Sequence, residues 1–257
     1  MKIFHRAMAL CLCILSTFTC TVSADECLTW YIIKKGNETP GFPNTAVVDK
    51  LNGYYIDTNA AQNNEKILYL TFDAGYENGN VSKILDILKE NNIPGAFFIL
   101  SNIIIKNPEV INRMFNEGHL VCNHTKNHKN MSSLTNEEMA ANLGALENLC
   151  LEKTGKKMEK LFRFPEGKYD ERTLKCASEL GYKTFFWSLT YADWDNGKQP
   201  NKAASIKKML ENTHDGAVIL LHPTADINVA ILPELISAWK EMGYSFGSLN
   251  DLIIRNQ

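Results

Sequence analysis

Ile67-Leu-Tyr-Leu-Thr-Phe72, closed by Asp73-Ala-Gly75, is the stretch from which the fold is read. Six consecutive residues, all but Thr71 apolar or aromatic and bounded by turn-forming residues, describe a strand covered on both faces, as in a parallel sheet with helices above and below. Just beyond it Val81, Ile84, Leu85 and Leu88 recur at i, i+3, i+4, i+7, the stripe of an amphipathic helix. Asn91, Asn92 and Pro94 end that helix, and Gly95-Ala-Phe-Phe-Ile-Leu100 is a second apolar run of strand length.

The same alternation continues outward. A helix begins at Pro108, where a missing N–H costs nothing, and a short strand falls near His119 to Cys122. A long helix follows, with Asn136 as its expected cap and Met139, Leu143, Leu146 and Leu149 on one face. Later strands are expected at Leu161 to Phe164, Thr184 to Leu189 and Ala217 to Leu221. Helices are expected around Glu171 to Leu180, Lys202 to Glu211 and Val229 to Met242. Strand-then-helix units imply parallel strands joined by right-handed crossovers, which either a (β/α) barrel or an open doubly wound sheet satisfies.

Residues 25–65 read differently: Gly36, Pro40, Gly41, Pro43 and Gly53 punctuate short apolar pieces, so this segment is expected to be an N-terminal extension packed on a main domain at 66–257. Ahead of it, Lys2, His5 and Arg6 precede the apolar run from Ala7 to Leu15, and Val22-Ser-Ala24 closes the segment. A basic start, a short apolar middle and small residues at a cut form a secretory signal, 1–24. A membrane anchor would need about 20 apolar residues, and Ser16, Thr17 and Thr19 break the run too early, so the mature chain is expected to be exported and to lack a transmembrane span.

Of seven cysteines, three lie in the signal, leaving Cys27, Cys122, Cys150 and Cys176, which are expected as buried free thiols. With 27 Lys plus Arg against 29 Asp plus Glu, the formal net charge is −2. No basic field exists to neutralise phosphates, which argues against nucleic acid as a partner. The chain is expected to be a monomer.

In either α/β architecture the working residues gather beyond the carboxyl ends of the strands. There the chain offers Asp73, then His124 and His128, then Arg163-Phe-Pro165-Glu-Gly167, then Asp193-Trp194, then His222. Each alone has an ordinary explanation: an aspartate after a strand commonly caps a helix, and a lone histidine is commonly structural. Together they place acids, imidazoles and a guanidinium where substrate chemistry occurs.

The segments Thr71-Phe-Asp-Ala-Gly75, His124-Thr-Lys-Asn-His128, Arg163-Phe-Pro-Glu-Gly167, Asp193-Trp194 and Leu221-His222 match, in order, the five motifs of the polysaccharide deacetylase domain, carbohydrate esterase family 4. Tyr76-Glu-Asn-Gly79, Tyr191-Ala-Asp-Trp194 and Gly243-Tyr-Ser-Phe-Gly247 resemble its delta-lactam-biosynthetic branch, whose members deacetylate muramic acid in spore-cortex peptidoglycan. The resemblance implies a distorted (β/α) barrel of seven strand/helix units and a secreted hydrolase whose partner is a peptidoglycan glycan strand on the cell-wall or spore-cortex side of the membrane.

It also implies roles. Asp73 resembles the family's catalytic base and Arg163 its orienting partner; His222 resembles the general acid and Asp193 its partner. The backbone N–H of Glu166 would serve the oxyanion. Gly75, Tyr76, Pro165, Glu166, Gly167, Trp194 and Leu221 would contact substrate. His124 and His128, four apart, would share one face of a helical turn and bind a divalent metal, zinc being the expected ion. In most relatives a second aspartate completes that triad; here Ala74 stands in its place, so two protein ligands plus water remain. The rival substrate is N-acetylglucosamine in peptidoglycan or a chitin-like polymer. The rival class, prompted by Ala74, is an inactive glycan-binding module.

Overall fold

The computed structural model describes residues 26–257; the expected signal segment lies outside them. Ten strands occur among the described residues: β1 (Leu28–Thr29), β2 (Gly53–Tyr54), β3 (Ile67–Ala74), β4 (Gly95–Ile99), β5 (Leu120–Asn123), β6 (Glu159–Phe162), β7 (Lys168–Tyr169), β8 (Lys183–Phe185), β9 (Ala217–Leu221) and β10 (Ser245–Phe246). Strands β3, β4, β5, β6, β8 and β2 lie side by side in that order, all parallel, while β9 pairs with the other edge of β3. The two-residue β10 joins the start of β3. The sheet curls until its ends meet: Ser188 and Leu189 N–H donate to the Val218 carbonyl, and Leu220 N–H donates to Leu189. The result is the distorted parallel barrel expected, with seven strand-then-helix units from β3 to the closing helix Leu249–Arg255.

Alternation along the strands sorts side chains into two layers. Leu68, Leu70, Phe72 and Ala74 of β3 face outward into one apolar cluster with Val81, Ile84, Leu85 and Leu88 of the following helix. Tyr69 faces inward, with Phe98, Cys122, Phe185 and Val218, and the closing helix plugs that interior with Leu249, Leu252 and Ile253. Asp73 has the inward parity at the carboxyl end of β3. The barrel floor is thus apolar and sealed, and the polar groups collect at its other end.

Residues 26–65 do more than cover the barrel. β1 pairs antiparallel with β7, β2 extends the main sheet beside β8, and buried Asp57 accepts from Tyr69 Oη and Arg255 Nε, both at 2.6 Å. Four details depart from expectation. The long helix, Asn136–Thr154, is capped by Thr135 in a reciprocal box with Glu138 rather than by Asn136. A helix at Ser101–Lys106 precedes the one begun at Pro108. β6 and β8 end at Phe162 and Phe185, and the N–H groups of Arg163 and Phe186 make one more bond each, to the Asn123 and Tyr54 carbonyls, before the chain turns into the site. Cys27 is exposed, while the other three described cysteines are buried and all four are free.

Candidate active site

Asp73 sits where β3 ends, and its carboxylate Oδ1 accepts from Arg163 Nη1 at 2.9 Å. Arg163 is fully buried. Its Nε and Nη2 donate to the carbonyls of Phe185 and Phe186, each at 3.1 Å, and it lies 4.2 Å over the Phe98 ring. A guanidinium fixed at three points cannot follow a moving carboxylate, so it sets the carboxylate's position. Burial pushes the Asp73 carboxyl upward, but the charges of Arg163, His124 and His222 outweigh it and hold it below the usual carboxylate value. Asp73 is therefore ionised at neutral pH.

His222 follows β9 directly. Its Nδ1 lies 2.8 Å from Asp193 Oδ1, and its own backbone N–H donates to Asp193 Oδ2 at 2.8 Å. Burial favours the neutral imidazole; the hydrogen bond and charge of Asp193 more than offset it, so the proton affinity of His222 rises above its ordinary value. With Nδ1–H given to Asp193, Nε2 is the free end of the ring.

Asp73 and His222 line one cavity of about 640 Å³, together with His128, Glu166, Trp187, Thr190, Trp194 and Leu220. That volume lies within the range of about 300–1,000 Å³ usual for small-ligand sites. Trp194 is 66% exposed at the rim, its ring 6.4 Å from that of His222. Gly167 is required behind the wall: φ is +64°, and a Cβ there would meet Trp187 at 2.9 Å and Trp30 at 3.1 Å. Glu166 also has positive φ, 57°, which turns its backbone at the cavity edge. Its side chain is paired with Lys168 Nζ at 2.5 Å.

His124 and His128 come together, ring centroids 5.1 Å apart, but not on a helical turn. Thr125 (φ 75°) and His128 (φ 57°) take left-handed conformations, fixed because Asn123 Oδ1 accepts from Thr125 N–H and Thr125 Oγ1 from His128 N–H. The chain folds back on itself and supplies by a tight loop the proximity that a helix would have given. His124 Nδ1 bonds the Arg163 carbonyl at 2.9 Å and Nε2 lies 3.6 Å from Asp73 Oδ2. Burial is the main reason that its pKa is pushed down to about 4. A neutral imidazole whose other N–H is held by a carbonyl is a ready metal ligand. The two imidazoles fit a divalent ion as far as they go. Ala74 faces the outer apolar layer, and no group of three His, Cys, Asp or Glu side chains converges on a metal position among the described residues.

The remaining expected contacts divide. Gly75 offers only backbone, its carbonyl accepting from Asn102, and Tyr76, half exposed, accepts from Asn196 through its hydroxyl. Pro165 is buried in the turn that presents Glu166. Leu221 points outward into the core; by strand parity it is Leu220 that lines the cavity. Thr190 and Asn228 carried no expectation. Thr190 follows an apolar run without a motif of its own. Asn228 did leave a signal: a polar residue inside the otherwise apolar Ile227 to Leu232, where it is fully buried.

A family model described as polysaccharide deacetylase matches residues 60–185. The peptidoglycan-N-acetylmuramic acid deacetylase PdaA of Bacillus subtilis is 32% identical over 236 residues, 91% of this chain and 88% of that one. A peptidoglycan-N-acetylglucosamine deacetylase of Bacillus cereus is 32% identical over 203 residues, 74% of this chain and 90% of that one. The solved structure of Bacillus subtilis PdaA, a family 4 carbohydrate esterase, superposes with a TM-score of 0.85 at 31% identity, covering 90% of this chain and 99% of that one.

Proposed function

We propose that this chain, which belongs to the polysaccharide deacetylase family and is a hydrolase of amide bonds, is secreted and removes the acetyl group of N-acetylmuramic acid in peptidoglycan, the step that precedes muramic delta-lactam in spore cortex. The observation that carries the reading is the shared cavity of Asp73 and His222, each tied to its own partner.

Asp73, ionised and held by Arg163, takes a proton from the water that attacks the acetamide carbonyl. The backbone N–H of Glu166 would donate to the oxygen that gains charge. His222, kept protonated by Asp193, gives its proton to the departing amine. His124 and His128 would hold a zinc ion, more weakly than a site with three protein ligands; when bound it would polarise the carbonyl. Trp194 and Trp187 offer faces for sugar rings.

Two points favour muramic acid. Similarity to the muramic acid deacetylase spans 91% of the chain, against 74% for the glucosamine deacetylase. Lys168 also neutralises Glu166, which would otherwise repel the lactyl carboxylate. The test is mass spectrometry of glycan strands stripped of peptides, after incubation with the protein. Deacetylated muramic residues are expected; exposed glucosamine alone would move the assignment to N-acetylglucosamine.

A further inference from the structure

Behind the acid pair lies a polar residue that none of the five motifs contains. Asn228 occupies the first turn of the helix Asp226–Glu241 and is fully buried. Its Nδ2 donates to Asp193 Oδ2 at 2.6 Å and to the His222 carbonyl at 2.9 Å, and its Oδ1 accepts from Tyr191 Oη at 2.5 Å. The amide can be oriented only one way: both partners of Nδ2 are pure acceptors, and the reverse would set oxygen against a carboxylate and a carbonyl.

The consequence for Asp193 is geometric. Its Oδ2 takes two donors, Asn228 and the His222 backbone, which leaves Oδ1 for the imidazole. Without Asn228, one donor remains on Oδ2 and the carboxylate is free to rotate. The bond to His222 Nδ1 then loses the alignment that fixes the ring and its tautomer. Tyr191 ties Asn228 from behind and sits in the same loop as Asp193, so the chain Tyr191–Asn228–Asp193–His222 closes on itself.

We propose that Asn228 is a positioning residue, setting Asp193 and through it the His222 imidazole for proton delivery to the leaving amine. This rests on the reading of His222 as general acid. The other charged groups that face His222 are Asp73 and Arg163, and the edge of Trp194 is the remaining ring beside it.

The experiment measures kcat, KM and the pH dependence of acetate release from denuded glycan strands for four variants. Asn228→Leu keeps the branched outline and removes the donor. Its kcat should fall about ten-fold or more with KM within about two-fold, and the alkaline limb should move to lower pH, because the aligned Asp193 bond is what keeps the proton on His222. Leu at 228 also orphans the Tyr191 hydroxyl and lowers stability. The pair Tyr191→Phe with Asn228→Leu should recover melting temperature but not kcat, which separates positioning from folding. Tyr191→Phe alone should show a smaller kcat loss in the same direction. A smaller fall in Asn228→Leu, an unmoved limb, or recovery of kcat together with stability would overturn the assignment. His222→Ala tells the two ideas apart: retained turnover there removes the general acid itself, whereas its loss beside an unaffected Asn228→Leu removes only the role of Asn228.

Discussion

At the scale of single residues the site is a problem in holding opposite protonation states within one cavity. The proposed reaction needs Asp73 bare and His222 charged at one pH, and each is steadied by a partner with no other freedom: Arg163 anchored on two carbonyls, Asp193 filled by three donors. The pH dependence of kcat/KM follows. Activity should fall on the acid side only below the ordinary aspartate value of 3.8, and on the alkaline side only above the ordinary histidine value of 6.5. A profile of acetate release would show a plateau across that interval; an acid limb near pH 6 would mean that another group is the base. Asp73→Ala should also be costly to the fold, about 3–5 kcal/mol, since it strands a buried guanidinium. Asp73→Asn, which can still accept from Arg163, should cost less in urea denaturation while turnover disappears.

At the scale of elements, the walls of the cavity depend on a segment outside the matched 60–185. Trp30, next to β1, donates its indole N–H to the Trp187 carbonyl at 2.9 Å, stacks on Phe186 at 4.5 Å, and donates its backbone N–H to the Gly167 carbonyl at 2.8 Å. It thereby ties together the two loops that carry Glu166 and Trp187. Trp30→Ala should cost about 3–5 kcal/mol in chemical denaturation and raise KM, because both loops loosen; an unchanged KM would mean that the loops hold themselves. Ala74 gives a second case. As it belongs to the outer apolar layer, Ala74→Asp should lower the melting temperature without metal, and added zinc should restore more of it than in the wild type. Equal responses would show that position 74 does not reach the metal.

These elements also show what could be read beforehand. β3, β4 and β9 were legible because their runs are buried on both faces and bounded by turn residues. The loop at 124–128 was not, since i, i+4 spacing means a helical face only if the backbone is helical, and two left-handed residues depend on hydrogen bonds from Asn123 and Thr125 that spacing does not reveal. Leu220 was missed for Leu221 because a motif names a position while strand parity decides which side chain looks inward. Asn228 needed tertiary structure: the helix pattern marks it as odd, and only the fold brings it to Asp193.

At the scale of the whole molecule, the curled sheet makes one end of the barrel a sealed apolar plug and the other a polar mouth, so groups 149 residues apart in the chain, Asp73 and His222, line one cavity. The same pairing links function to stability. The contribution of His222 is complete below its unfolded value of 6.5 and is lost as pH rises through its higher folded value; that of Asp73 is complete above 3.8 and is lost as pH falls through its lower folded value. The stability advantage of the wild type over His222→Gln should therefore be full at pH 5 and shrink on the alkaline side, as read from unfolding midpoints. An advantage that grows with pH would reverse the sign assigned to His222.

The most direct check is acetate release from denuded glycan strands by the wild type, Asp73→Asn and His222→Ala, at matched folding and across pH. Division of the proton work between two groups in one cavity predicts a loss of about a hundred-fold or more in each variant, with the removed muramic acetyl groups located by mass spectrometry. Either variant retaining more than about a tenth of wild-type turnover would contradict it.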